Sequence, residues 1–162
     1  MNRTFKFNTL YIGILLLVLA FSSCTSSKQL AIQKNKTAQL SRKLGFTVNR
    51  KDDLPLLEEV SRWLGTPYRY GGTTRTGADC SGFVGAVYKN VYHKSLQRTV
   101  VNIYNKDCQR VGKRRLKPGD LVFFNFSKRK KRTLNHMGIY LKNGYFAHAS
   151  TSKGVMVNHL SE

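Results

Sequence analysis

"GADCSGFVGAVY", residues 77–88, leads from a glycine-dense loop through an acid, a cysteine and a serine into an apolar stretch. Phe83, Val84, Val87 and Val91 recur there at helical spacing, so a helix begins at or beside Cys80 and buries that face. Taken alone, Cys80 fits a buried packing residue, half of a disulfide, a metal ligand or a nucleophile. Its place at a helix N-terminus sets it against unpaired backbone N–H groups and the positive end of the helix dipole. That setting is expected to stabilise a thiolate and lower its pKa.

Upstream, Asp52-Asp53 can cap an earlier helix with Pro55 tolerated in its first turn, and Leu57, Val60, Trp63 and Leu64 fall on one face. Gly65 closes that helix, and residues 66–79, dense in Gly, Thr and Tyr, read as a loop. Downstream, residues 93–117 fit a short helix or an edge strand equally well. The order is clearer after that: "LKPGD" at 116–120 is a turn, "LVFFNF" at 121–126 and "HMGIYL" at 136–141 are strands, "NG" at 143–144 turns the chain, and "YFAHAS" at 145–150 and "GVMVNHL" at 154–160 follow as strands. Helices first and antiparallel strands after make an α+β domain. His136 opens one of those strands and His148 lies on the next, so a short hairpin can set the two imidazoles side by side and offer a thiolate both a base and an orienter.

The N-terminus places the chain in a compartment. Arg3 and Lys6 precede an apolar run from Leu10 to Phe21, the layout of a secretory signal, and at about a dozen residues the run is shorter than the roughly 20 a membrane-spanning helix needs. It ends in "AFSSC", which resembles a bacterial lipobox. On that reading residues 1–23 are a lipoprotein signal peptide, Cys24 carries the lipid, residues 24–50 are a polar, partly helical tether, and residues 51–162 are one catalytic domain. Of the three cysteines, Cys80 and Cys108 are then left, and an exported chain can join two such thiols. No CxxC and no closely spaced Cys/His pair marks a metal site, since His136 and His148 stand twelve apart. Cys108, His93, His159 and Asp120 read as packing, surface or turn residues.

A formal net charge of +20 points to an anionic partner. "KRKKR" at 128–132 has the look of a nucleic-acid patch, but export removes that partner and leaves anionic glycan, lipid phosphate or wall polymer.

"GTPYRYGGTTRTGADCSGFVGAVY", "LKPGDLVFF", "NHMGIYL" and "GYFAHAS", in this order and spacing, resemble the NlpC/P60 family of papain-like cell-wall cysteine peptidases over residues 41–162. The resemblance implies a nucleophile-bearing helix packed on a five- or six-stranded antiparallel sheet. It implies Cys80 as nucleophile, His136 as general base and later acid, and His148 as the residue that orients His136. Tyr68, Asp79 and Ser81 match substrate-contact positions, where an acid and a hydroxyl suit a cationic amine and polar groups of a peptidoglycan stem peptide. The Cys80 backbone N–H is the natural oxyanion donor. No cofactor and no metal are implied. The expected activity is an endopeptidase cutting amide bonds within or between stem peptides through an acyl-thioester, in a bacterial envelope, with the membrane held through Cys24.

Two rival readings exist: a catalytically silent wall-binding lipoprotein and a papain-like acyltransferase. The intact Cys80, His136 and His148 count against the first, and Asp79 and Ser81 suit a polar peptide better than an acyl chain. Two departures stand out. Arg98-Thr99 takes the place of the usual Pro-Arg pair on the groove rim, and the family adds a further strand after 154–160, leaving an expected open sheet edge here.

Overall fold

A computed structural model describes residues 9–126 and 133–161, with side chains from Ser27 onward. Residues 1–8, the "KRKKR" stretch and the Cys24 side chain therefore lie outside the described residues.

Leu40 and Leu44, four residues apart, give the end of a long helix, α1 (Thr9–Leu44), a buried stripe. That stripe meets α2 (Leu54–Trp63), with Phe46 and Val48 of the connection also in the core. The packed body thus begins before residue 51, and the last turns expected to be tether belong to it. The reason is apolar surface: Phe46 stacks on Tyr145 at 4.8 Å, and Lys36 pairs with Glu58 at 2.5 Å. Asp53 caps α2 as its position requires, its Oδ1 accepting the Leu56 N–H at 3.1 Å. Leu56, Leu57, Val60 and Trp63 are buried, whereas Leu64, at the C-cap, is half-buried.

Residues 66–79 do more than loop. Thr73–Thr74 (β1) and Gly77–Ala78 (β2) close a small antiparallel hairpin that lies on α3 (Cys80–Tyr92). Phe83, Val84 and Val87 of α3 are wholly buried and face Met137, Ile139 and Leu141 of the main sheet. Each such side chain contributes about 1.5–3 kcal/mol by leaving water. Between helix and sheet, Thr99 caps a short helix α4 (Val100–Asn102), which runs into a π-helical turn, Ile103–Asp107, anchored by the fully buried Ile103.

The main sheet is antiparallel in the order β3 (Leu121–Phe124), β4 (His136–Lys142), β5 (Tyr145–Ser150) and β6 (Gly154–His159). Asn143 and Gly144 turn β4 into β5 with φ of 47° and 83°, the primed turn that "NG" specifies. Among the described residues the main sheet has four strands, fewer than the five or six the resemblance implied. Within residues 66–79 the pairing stays in a separate small hairpin, and the segment after Thr99 forms α4 and the π-helical turn rather than a strand. The outer edge of β6 is partly closed by the loop after α2, since Val155 exchanges hydrogen bonds with Gly65 and Thr66 at 2.8 Å.

Candidate active site

The start of α3 is where three segments of chain are tied together. Asp79 is its N-cap, and Oδ1 accepts the Gly82 N–H at 2.7 Å and the Ser81 hydroxyl at 3.1 Å. Oδ2 accepts the Gly71 N–H at 2.9 Å. Arg98 closes the cluster with a two-pronged contact, Nη1 to Oδ1 at 3.0 Å and Nη2 to Oδ2 at 2.7 Å, and Nη1 also donates to Ser81 Oγ at 2.7 Å. Burial alone would raise the Asp79 pKa, but Arg98 and the two backbone N–H groups outweigh it and hold the carboxyl below its usual range. The glycines around this trio serve close approach. A Cβ on Gly82 would stand 2.0 Å from the Gly72 carbonyl oxygen, and one on Gly77 would stand 2.8 Å from the Arg69 Cβ.

This geometry revises one expectation. Asp79 is not a bare acid waiting for a substrate amine, because Arg98 already neutralises it. Arg98 is the residue that the sequence reading noticed only as a departure from the usual rim. A buried acid in so basic a chain demands a cation, and that demand was the available signal.

Cys80 is buried at the head of α3. α3 packs on β4, and Cys80 and Met137 share one buried cluster. Burial, followed by the Asp79 charge, pushes the thiol upward, and backbone hydrogen bonds pull the other way without reversing the shift. The helix start was expected to lower the Cys80 pKa; desolvation wins instead. Cys80 and Cys108 are both free thiols, so they do not form the disulfide that two exported cysteines allow.

The hairpin brings the two histidines together. Gly138 pairs across from His148, and His136, two residues earlier on the same face, sets its Nε2 2.8 Å from His148 Nδ1. Gly138 leaves room for this, since a Cβ there would meet the His148 Cβ at 3.1 Å and the Ala147 carbonyl at 2.5 Å. His148 Nε2 in turn lies 3.0 Å from the Oδ1 of Asn158 on β6. That chain fixes the tautomers: an amide oxygen only accepts, so His148 Nε2 carries the proton and Nδ1 the lone pair. His136 Nε2 must then donate, and the basic nitrogen left on His136 is Nδ1. Phe124, Phe126 and Phe146 pack around the pair. Burial and the neighbouring His148 lower the His136 pKa to about 4, and burial also lowers that of His148, against the Asn158 bond. Asn158 was not singled out from sequence, although the alternation of β6 puts it on the His148 face.

A groove of about 410 Å³ opens over the sulfur between Tyr68, Tyr70, Arg98 and Val101. Tyr70 is 91% exposed. Tyr68 bridges to Ala78 beside the α3 start, and burial, then Cys80 and Asp79, raise its pKa. The structure therefore gathers Tyr68, Asp79, Cys80 and Ser81 in one groove, with Asn135, the neighbour of His136, on its wall, and pairs His136 with His148 on the sheet. A buried thiol on the groove wall and a neutral base of fixed tautomer together suit nucleophilic attack on a carbonyl carbon.

Comparison with known proteins agrees with this arrangement. Residues 65–162 match the model of the NlpC/P60 family. The chain is 45% identical over 105 residues to the probable endopeptidase NlpC of Escherichia coli K12, covering 65% of this chain and 66% of that protein. It is 36% identical over 107 residues to the murein DD-endopeptidase MepS/murein LD-carboxypeptidase of the same strain, covering 66% and 54%. The match thus spans between about half and two thirds of these relatives. Among solved structures, the NlpC/p60 domain of the peptidoglycan hydrolase SagA superimposes with a TM-score of 0.58 at 28% identity, covering 66% of this chain and 88% of that one. With a family model matched over more than half of its length, the chain belongs to the NlpC/P60 family.

Proposed function

We propose that this protein is a cysteine endopeptidase that hydrolyses amide bonds in the stem peptides or cross-links of peptidoglycan. The observation that carries the reading is the bonded chain from His136 through His148 to Asn158, which leaves His136 Nδ1 basic on the strand that packs against α3, the helix headed by Cys80. Both groups rest neutral, so the proton moves during attack. His136 Nδ1 takes the thiol proton as sulfur bonds to the amide carbonyl carbon, and the carbonyl π pair goes to oxygen. The N–H groups of Cys80 and Ser81 then receive that oxyanion. Its collapse breaks the C–N bond, and His136 passes the proton to the departing amine. Water, deprotonated by the same nitrogen, attacks the thioester, and the thiol returns. His148 holds the imidazole in place throughout, and Tyr68, Asp79 and Ser81 line the substrate side, with Arg98 setting the shape of that wall.

Relatives named as murein endopeptidases support the substrate class. On the same reading residues 1–23 are removed on export, Cys24 carries a lipid that holds the protein to an envelope membrane, and anionic envelope polymers hold its basic surface. The proposed cleavage is tested by incubating the protein and Cys80→Ala with purified peptidoglycan and identifying released fragments by mass spectrometry. Muropeptides from the Cys80 form alone are expected; release from neither, with both folded, overturns the hydrolase. Loss of radiolabelled fatty acid from Cys24→Ser tests the anchor.

A further inference from the structure

A second cavity, about 690 Å³ and larger than the groove over Cys80, lies on the other side of the α4–π segment. The two share Leu134, and one stretch of chain walls both: Arg98 to Val101 face the thiol groove, and Tyr104, Asn105 and Asp107 to Val111 face the second cavity. We infer that this cavity is a subsite for the glycan strand of peptidoglycan, holding a sugar ring beside the peptide being cut. The inference rests on the peptidoglycan reading above and names the part of that substrate which the peptide groove leaves unbound.

The lining carries the choice. Tyr104 is 39% exposed, yet it is fixed, because its ring meets Phe123 edge-on at 5.2 Å and the preceding Ile103 is wholly buried. Asp107 Oδ2 accepts the Gln97 N–H at 2.7 Å and clasps the segment at its two ends. The wall is therefore built before a ligand arrives, which spares the ordering cost of binding. A rigid ring with an open face gives a pyranose an apolar platform, and Asn105 and Gln109 at the rim offer amide donors and acceptors for hydroxyl and N-acetyl groups. Charge decides against the second stem peptide as occupant. Among the described residues Asp107 and Asp120 face the cavity with Arg110 as the one cation, a poor match for a carboxylate-bearing peptide and an indifferent one for neutral sugar. Four of the exposed apolar side chains lie on these walls: Tyr70 and Val101 line the first groove, Tyr104 and Val111 the second.

The test compares the protein with Tyr104→Ala, Tyr104→Phe and the paired Asn105→Ala/Gln109→Ala, all at exposed positions. The substrates are muropeptides that carry their disaccharide and the same peptides stripped of it. Tyr104→Ala and the paired variant are expected to lose about tenfold in kcat/KM, through KM, on the sugar-bearing substrate alone. Tyr104→Phe should keep the wild-type value. Equal loss on both substrates, or loss on neither, overturns the inference. Calorimetric titration with peptide-free glycan strands reads the site without any cleavage. Binding that Tyr104→Ala abolishes supports the subsite even if no bond is ever cut, an outcome that would instead remove the proposed hydrolase; absence of binding to the wild type overturns the subsite while leaving the hydrolase intact.

Discussion

At the residue scale, His136 ties acid stability to the site. Its folded pKa is about 4, below the ordinary value of 6.5, so between those limits the unfolded chain takes up a proton that the folded one refuses. Stability is then full above pH 6.5 and falls as the pH drops towards 4, by on the order of 3 kcal/mol from this group. Urea unfolding at pH 7 and pH 4.5 should show that loss, and His136→Gln should flatten it; an equally steep loss in the variant would place the acid sensitivity elsewhere. Asn158 acts one bond further out. Asn158→Ala frees His148 to flip its proton, and kcat should fall about tenfold or more with KM little changed, while Asn158→Asp, which keeps the acceptor, should recover most of it. Cys80, His136 and His148 were legible because helix start and hairpin spacing determine their neighbours. Arg98 and Asn158 were not, since one reaches Asp79 across a nineteen-residue gap and the other depends on the pairing of β5 with β6.

At the scale of the element, α3 carries two glycines with opposite meanings. Gly82 lies against the Gly72 carbonyl, whereas nothing stands within 4 Å of a Cβ at Gly85. Gly82→Ala should cost about 2 kcal/mol or more and reduce activity by moving the cap. Gly85→Ala, in mid-helix, should stabilise by about 0.5–1 kcal/mol. Thermal melts of the two variants decide the matter, and similar shifts in one direction would remove the distinction. Periodicity revealed α2, α3 and the four main strands because each has a single clear repeat. The stretch after His93 lacked one: its α4 and π turn are too short to show a period and are held by a Thr99 cap and the buried Ile103. The two-residue strands of the small hairpin are likewise below the length at which alternation can be seen.

For the whole molecule, charge is distributed unequally between inside and outside. Each carboxylate among the described residues is engaged, by Lys36, Arg62, Arg98 or Lys142 or by helix-cap and turn N–H groups. The chain has 28 Lys and Arg against 8 acids, and the unpaired cations among the described residues are exposed. Retention on an anionic polymer column should therefore drop steeply, by about tenfold or more, as salt rises from 50 to 300 mM. Retention that ignores salt would point to apolar contact instead. Composition made the sign of this surface plain, but not that the packed body reaches back into α1, because Leu40, Leu44, Phe46 and Val48 become core only once α2 and Tyr145 are in place. The position of Asn158 on the last strand has a consequence in time. For a chain threaded N-terminus first across a membrane, Cys80 emerges about half a chain before the group that fixes its base. The full relay can form only after β6 has docked, so on the proposed function the nascent chain would reach full activity last, once its final strand is in place.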